Sequence, residues 1–173
     1  MASILKFFPV MARVFSLNRF VYNETMSKNQ LKLATELDFA HIVFIQKNDG
    51  YDHAYYLTED RIERLVEAGE KFFVFYNEDQ FVGMAGIHLD VRIELHFFSV
   101  VASDKQDELA TEMLTSLMKE IRSYKTLHRN IFCYSEPDAP LVKLLKNNGF
   151  EMVGFYKDRY KNGKDAVILE RKI

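Results

Sequence analysis

The sequence predicts one α/β domain in which a mixed sheet is covered by helices. Alternating apolar and polar residues predict strands, and apolar residues at steps of three and four predict helices. The predicted element order is βααβββαβαββ, so a strand–helix–strand connection follows three consecutive strands. Such a connection requires one parallel pair of strands in the sheet. A hydrophobic content of 48% over 173 residues is enough to bury a full core.

The first part of this order is one strand followed by two helices. Gln30–Ala34 alternates in polarity and predicts the strand. Thr35 and Thr58 each precede an apolar run at helical spacing and are predicted helix N-caps. Gly69 ends the second helix, where a residue with positive φ is favoured.

Three strands and a long helix form the predicted centre. The strands are Lys71–Tyr76, Phe81–Leu89 and Arg92–Val101, and the first two flank the polar turn Asn77–Gln80. The long helix has a continuous apolar face, because its large apolar residues recur at steps of four: Leu109, Met113, Leu117 and Ile121.

The last part of the chain adds a strand, a short helix and a hairpin. The predicted elements are a strand at Asn130–Tyr134, a helix at Pro140–Lys146, and strands at Met152–Tyr160 and Lys164–Arg171. The final two strands flank Asn162-Gly163, a dipeptide that favours a tight two-residue turn.

Composition excludes several functional classes. A net charge of −2 provides no overall attraction to nucleic acid or anionic membranes. The single cysteine, Cys133, excludes a disulfide within the chain and favours a reducing, cytoplasmic location. The five histidines show no metal-ligand spacing, so no metal is predicted, and no apolar run reaches transmembrane length.

Residues 1–28 are predicted to form an arm separate from the domain at 29–173. The arm is basic before Glu24 and rich in phenylalanine. It either packs on the domain or a neighbouring chain, or lies on a membrane surface.

Three local motifs resemble those of the GNAT family of acyl-CoA-dependent N-acyltransferases. They are Leu31–Asp38, the hairpin Lys71–Gly86 with its glycines at 83 and 86, and the Gly-Phe-Glu within Asn147–Glu151. The resemblance covers Gln30–Ile173 and is carried by the joint order of the motifs. It implies a GNAT-like, mostly antiparallel sheet with helices on both faces and strands 4 and 5 parallel.

The resemblance also implies a cofactor, acetyl-CoA or another acyl-CoA, held at the start of the long helix. The family's Arg/Gln-x-x-Gly-x-Gly/Ala loop falls on Lys105–Ala110, where Lys105 keeps the positive charge and Ala110 fits. Glu108 stands where glycine is expected. The implied cofactor-binding residues are Phe98, Val100, Lys105, Gln106, Asp107, Glu108, Leu109, Ala110 and Thr111.

Glu108 makes this loop unusual. Backbone N–H groups at a helix start bind phosphate, and glycine allows a close approach. A carboxylate there opposes the pyrophosphate, and the window Ser103–Glu112 holds four acids and one base. The alternative interpretation is a well-capped helix, in which Ser103 and Gln106 form a capping box.

The resemblance places catalytic candidates on the fourth strand. Glu94 matches the position of a general base, and His96 can assist it or replace it. Strand alternation predicts that Arg92, Glu94, His96 and Phe98 share one face. The family's tyrosine acid is replaced by Leu145. Tyr134 is the substitute candidate, with Tyr156 and Tyr160 as alternatives, unless these rings serve packing alone.

Acceptor recognition is expected from Asn48–Asp60 and the final hairpin. The acids Asp49, Asp52, Glu59 and Asp60 suit a cationic amine, although a solvated loop also explains them. Nearby tyrosines line either a site or a homodimer contact. Two functions stay open: N-acyl transfer to a primary amine of a small molecule or protein, and a degenerate, non-catalytic binding module.

Overall fold

The computed structural model describes residues 29–49, 56–124, 129–160 and 163–173. In these segments the strands are β1 (Asn29–Leu33), β2 (Glu70–Asn77), β3 (Gln80–Leu89), β4 (Ile93–Val100), β5 (Asn130–Ser135), β6 (Glu151–Tyr156) and β7 (Ala166–Lys172). The helices are α1 (Phe39–Lys47), α2 (Glu59–Glu67), α3 (Gln106–Ser123) and α4 (Pro140–Asn147), with a 3₁₀ turn at Glu36–Asp38 before α1. The predicted element order is confirmed.

The strands form one mixed sheet of order β1-β2-β3-β4-β5-β7-β6. Every neighbouring pair is antiparallel except β4 and β5, which run parallel with Ile93–Leu95 beside Ile131–Cys133. The helix α3 connects these two strands, so the predicted crossover and its parallel pair are confirmed.

The two faces of the sheet have separate cores, which explains the alternation along β2. Phe73 and Phe75 lie with α3 and α4 in the larger core. Phe72 and Val74 point the other way, into a smaller core with α1 and α2. Helices therefore cover both faces, as predicted.

Several predicted ends of elements are confirmed at atomic detail. The Thr35 N–H donates to Asp38 Oδ2 at 2.9 Å, and Thr58 Oγ1 accepts from the Arg61 N–H at 3.3 Å. The β2–β3 turn places Glu78 and Asp79 at φ 47° and 66°, as a tight two-residue hairpin requires. The final hairpin differs from the prediction: β6 ends at Tyr156 and β7 begins at Ala166, so Asn162-Gly163 lies within a longer connection and is not a two-residue turn between the strands. Gly163 has φ 74°, and Asn162 lies outside the described residues.

A β-bulge in β4 changes which residues share a face. Ile87 pairs with Leu95, whereas the adjacent Gly86 pairs with Phe97, so His96 is an extra residue in β4. Leu95 and Phe98 consequently both enter the larger core. The prediction that Phe98 lies on the same face as Glu94 is therefore wrong, because one inserted residue reverses strand alternation.

The predicted N-terminal arm, residues 1–28, lies outside the described residues. Among the helices of the described segments, none combines the length and apolar character needed to cross a membrane.

Candidate functional site

The parallel strands β4 and β5 part from each other near their carboxyl ends. Their pairing stops at Leu95 and Cys133. Each strand nevertheless continues to pair with its other neighbour, β4 as far as Val100 and β5 as far as Ser135. Within these strands the polar main-chain groups beyond Leu95 that face the gap have no strand partner there. The chain leaves β4 at this gap and then forms the start of α3.

The start of α3 is formed without a side-chain cap. Lys105 is the N-cap residue, and no described side chain accepts a hydrogen bond there. Ser103 contributes only its carbonyl, which accepts from the Gln106 N–H at 3.1 Å. The predicted Ser103–Gln106 capping box is thus wrong, because the helix begins at Gln106. The N–H groups of Asp107 and Glu108 meet no acceptor among the described residues.

The Gln106 side chain connects the start of α3 to the rest of the domain by two hydrogen bonds. Its side-chain amide donates to the Asp49 carbonyl at 2.7 Å and to the Val100 carbonyl at 2.8 Å. Because Val100 is the last residue of β4, the amide joins the strand end to the helix start. The Gln106 side chain therefore has a structural role as well as lying in the predicted cofactor loop.

The other predicted cofactor residues divide by exposure. Phe98 and Val100 have buried side chains, so only their main chains can contact a cofactor. Ala110 is buried and Leu109 is half-buried, and both lie on the side of α3 that faces the larger core. The exposed members are Lys105, Asp107, Glu108 and Thr111.

A chain of hydrogen bonds crosses the sheet at the bulge. His96 Nε2 lies 2.7 Å from Glu94 Oε2, and His96 Nδ1 lies 3.0 Å from Glu70 Oε2. The Arg92 Nε–H donates to the other oxygen of Glu94. The structure thereby brings together the two predicted residues, Glu94 and His96, and adds a carboxylate that sequence reasoning missed.

The pairing of β2 with β3 and of β3 with β4 places Glu70 in this site. It is directly opposite His88 on β3, which is opposite Glu94 on β4. The Glu70 side chain is 2% exposed, and its Oε1 has no hydrogen-bond partner among the described residues. The only local sequence signal is an acid beginning an otherwise apolar strand, which does not reveal its neighbours.

The contacts within this network shift the pKa values of His96 and Glu94. The hydrogen bond to Glu70 raises the pKa of His96; burial opposes that shift, and Glu94 reinforces it. Burial tends to raise the pKa of Glu94, but the hydrogen bonds from His96 and Arg92 outweigh it and lower the pKa. The two shifts therefore stabilise a carboxylate at Glu94 and an imidazolium at His96 relative to the same groups alone in water.

Tyr134 lies on the same face of the sheet, between two guanidinium groups. Its ring centroid is 4.6 Å from Arg159 Cζ and 5.5 Å from Arg92 Cζ. It follows Phe132, the residue paired with Glu94, by two positions, so both side chains face the Glu94 side.

The alternative tyrosine Tyr156 is 49% exposed, whereas three other residues are poorly suited to donate a proton. Leu145 is fully buried in the larger core and carries no proton to donate. Burial raises the pKa of Tyr160, with Cys133 and Glu136 adding to the shift, so its hydroxyl is a poorer acid. Burial also raises the pKa of Cys133 to about 12, which excludes a reactive thiolate.

The predicted acceptor segment is only partly described. Asp49 is buried, while Glu59 and Asp60 are exposed at the start of α2. Tyr51, Asp52 and Tyr55 lie outside the described residues, and Tyr56 is 43% exposed.

Two surface cavities lie among the described residues, and the second of them borders the network, because Glu70 is one of its lining residues. One of about 530 Å³ is bounded by Pro137–Asn147, and one of about 330 Å³ lies between the end of β1 and the end of α2. Across the described segments, no three acidic, histidine or cysteine residues converge in a way that could hold a metal ion.

The chain is similar to known acetyltransferases in sequence profile and in fold. The family described as an acetyltransferase (GNAT) domain matches residues 23–166. Among solved structures, the ribosomal-protein-S18-alanine N-acetyltransferase of Escherichia coli superimposes with a TM-score of 0.69 at 16% identity. That match covers 84% of this chain and 94% of the other.

Two further structures have the same fold. A chimaeric spermidine N-acetyltransferase, from Vibrio cholerae SpeG and hSSAT, has a TM-score of 0.70 at 16% identity over 84% and 96% of the two chains. Arabidopsis thaliana Naa50, in complex with a CoA-containing bisubstrate analogue, has a TM-score of 0.67 at 13% identity over 85% and 100%. No curated protein matches this sequence significantly.

Proposed function

Because the chain belongs to the GNAT acetyltransferase family, we propose that it transfers an acyl group from acyl-CoA to a primary amine of a small molecule or protein. The observation that carries the proposal is the Glu94–His96 pair, whose members lie on either side of Leu95, where β4 parts from β5. The pair supplies a base on the strand that leads directly to the uncapped start of α3.

The proposed reaction makes a carbon–nitrogen bond and breaks a carbon–sulfur bond. A protonated acceptor first releases one proton to solvent, and the neutral amine then attacks the thioester carbonyl carbon. The amine nitrogen loses a second proton in this step, and the CoA thiolate gains one. Glu94, hydrogen-bonded to His96, accepts the proton from the amine. Tyr134, on the same face, is the proposed donor to the thiolate.

The residues present at the start of α3 fit the diphosphate of acyl-CoA. The N–H groups of Asp107 and Glu108 have no other described acceptor, and the positive end of the helix dipole favours an anion there. The exposed Lys105 adds a positive charge. Acyl-CoA would supply the activated thioester, while this chain would hold its diphosphate by the main chain.

A cationic amine remains the proposed acceptor. The exposed acids Glu59 and Asp60 at the start of α2 support this choice by charge. Two similar structures are named as acetyltransferases of spermidine and of a protein's alanine, so both a polyamine and a peptide amine belong in the first substrate panel.

Binding and transfer are tested separately. Calorimetric titration with acetyl-CoA and a longer acyl-CoA measures binding. Thiol release with spermidine or an alanine-initiated peptide measures transfer, with the acylated amine identified by mass spectrometry. We expect heat of binding and amine-dependent thiol release. Absence of heat at millimolar acyl-CoA would exclude transfer and leave the non-catalytic binding module.

We expect Glu108→Gln to tighten acetyl-CoA binding about two- to five-fold. The exposed Glu108 carboxylate repels the diphosphate, and two charges close together in water interact by roughly 0.5–1 kcal/mol. Glu108→Gly should tighten binding at least as much, since it also removes the side chain. The measurement is the calorimetric Kd at low salt.

Glu63→Gln is the matched control, because it removes one exposed carboxylate from α2 without touching α3. Its Kd should equal that of the wild type. Equal Kd values in all four proteins would show that the Glu108 charge does not face the cofactor.

A further inference from the structure

We propose that Glu70 is a positioning residue, which holds the His96 ring through Nδ1 so that Nε2 is committed to Glu94. Glu94 and His96 then accept the amine proton as one unit. This inference rests on the proposed function, and it adds a residue on β2, two strands away from the predicted base.

The Glu70 carboxylate is held in place by burial and by two imidazole rings. Its Oε2 lies 3.0 Å from His96 Nδ1 and 3.4 Å from His88 Nδ1. A carboxylate that is 2% exposed needs such partners, because water no longer solvates it. The contacts therefore fix His96 as well as stabilising Glu70.

Gly86 leaves the space that the carboxylate occupies. A Cβ at position 86 would lie 3.2 Å from Glu70 Oε1, and closer still to the rings of Phe72 and Phe97. A side chain at position 86 would therefore crowd the Glu70 carboxylate, and glycine there leaves room for it beside the strand.

Either tautomer of His96 fits the two contacts, so the proposal assigns the roles: Nδ1 carries the hydrogen donated to Glu70, and Nε2 exchanges the proton with Glu94. When the ring is neutral, an Nδ1–H donated to Glu70 leaves the lone pair of Nε2 facing Glu94. When the ring is protonated, both N–H groups donate to carboxylates. One proton taken from the amine is shared between Glu94 Oε2 and His96 Nε2, and it leaves later to solvent, so no further reactant is required.

Charged groups from three strands act on this ring. Glu70 on β2 and Glu94 on β4 favour the protonated form. His88 on β3 stacks on His96 with ring centroids 5.8 Å apart, and Arg92 lies on the far side of Glu94, so positive charge on either opposes it. Removal of Glu70 should thus shift the balance toward neutral His96.

The test is an NMR titration of His96 in the full chain without cofactor or substrate. In Glu70→Gln we expect the pKa of His96 to fall by about one unit or more, since a nearby opposite charge shifts a pKa by roughly 1–3 units. The acid limb of the kcat profile should move to lower pH by the same amount, because activity needs the deprotonated unit. The KM for the amine should change little.

Controls make the result specific. His96→Gln assigns the resonance, and Glu63→Gln, the same charge change on α2, should leave the titration unaltered. Glu70→Asp should restore part of the shift. An unchanged His96 pKa in folded Glu70→Gln overturns the proposal.

A second measurement needs no variant, in case Glu70→Gln fails to fold. The ¹⁵N shifts of wild-type His96 above its pKa should show the Nδ1–H tautomer, and an Nε2–H tautomer overturns the proposal. If the titration behaves as expected but no amine is acylated, the proposed function fails while the Glu70–His96 contact stands.

Discussion

Glu94→Gln should lower kcat for acyl transfer by about 10²–10⁴-fold, the usual contribution of a positioned general base. Glutamine keeps the size of the side chain and can still bond to Arg92 and His96, but it cannot hold the proton of the amine. The acetyl-CoA Kd should remain unchanged, since the proposed diphosphate site lies at the start of α3. Steady-state thiol release and calorimetry measure the two quantities.

Glu170→Gln is the matched control for this variant. Glu170 pairs with Phe132, which pairs with Glu94, so the same change is made two strands away on the same sheet face. Its kcat should stay within about two-fold of the wild type, as expected without a catalytic role. Near-normal turnover by Glu94→Gln would assign the base to another group and contradict the mechanism.

Leu117→Ala should lower the free energy of unfolding by about 2–5 kcal/mol, because truncating a buried leucine loses transfer free energy and leaves a cavity. Leu117 has no exposed surface and lies on α3 in the larger core. Urea unfolding followed by circular dichroism measures the loss. For a domain of this size each kcal/mol lowers Tm by roughly 2–4 °C.

Leu37→Ala makes the same chemical change at a site that is 88% exposed, in the turn before α1. It should cost less than about 0.5 kcal/mol. Equal losses in the two variants would contradict the packing of α3 against the sheet.

The burial of Leu117 can be predicted from the sequence, since the four-residue spacing on α3 identifies the buried face of the helix. Glu94 and His96 were also named as candidates from the sequence, because the resemblance to the GNAT family implies a base at that position of the fourth strand. Glu70 was not, although it is the more deeply buried carboxylate. Its partners lie on other strands, 18 and 26 residues along the chain.

Two further sequence predictions failed for the same kind of reason. Strand alternation placed Phe98 with Glu94, but the bulge at His96 moved it into the larger core. Capping preference assigned the start of α3 to Ser103, whereas the helix begins at Gln106. There the Gln106 amide bonds to carbonyls of Asp49 and Val100, which no local pattern reveals.

Sequence alone determined the types and order of the elements, the parallel pair and the likeness to the GNAT family. These depend on periodicity and on short motifs, which act over a few residues. The tertiary structure decided the bulge, the parting of β4 from β5, the uncapped start of α3 and the Glu70–His96–Glu94 chain. The bulge, the parting and the chain depend on register between strands that are distant in sequence, where a shift of one residue exchanges the two faces of the sheet. The helix start depends on contacts of Gln106 with Asp49, which is also distant in sequence, and with the end of β4.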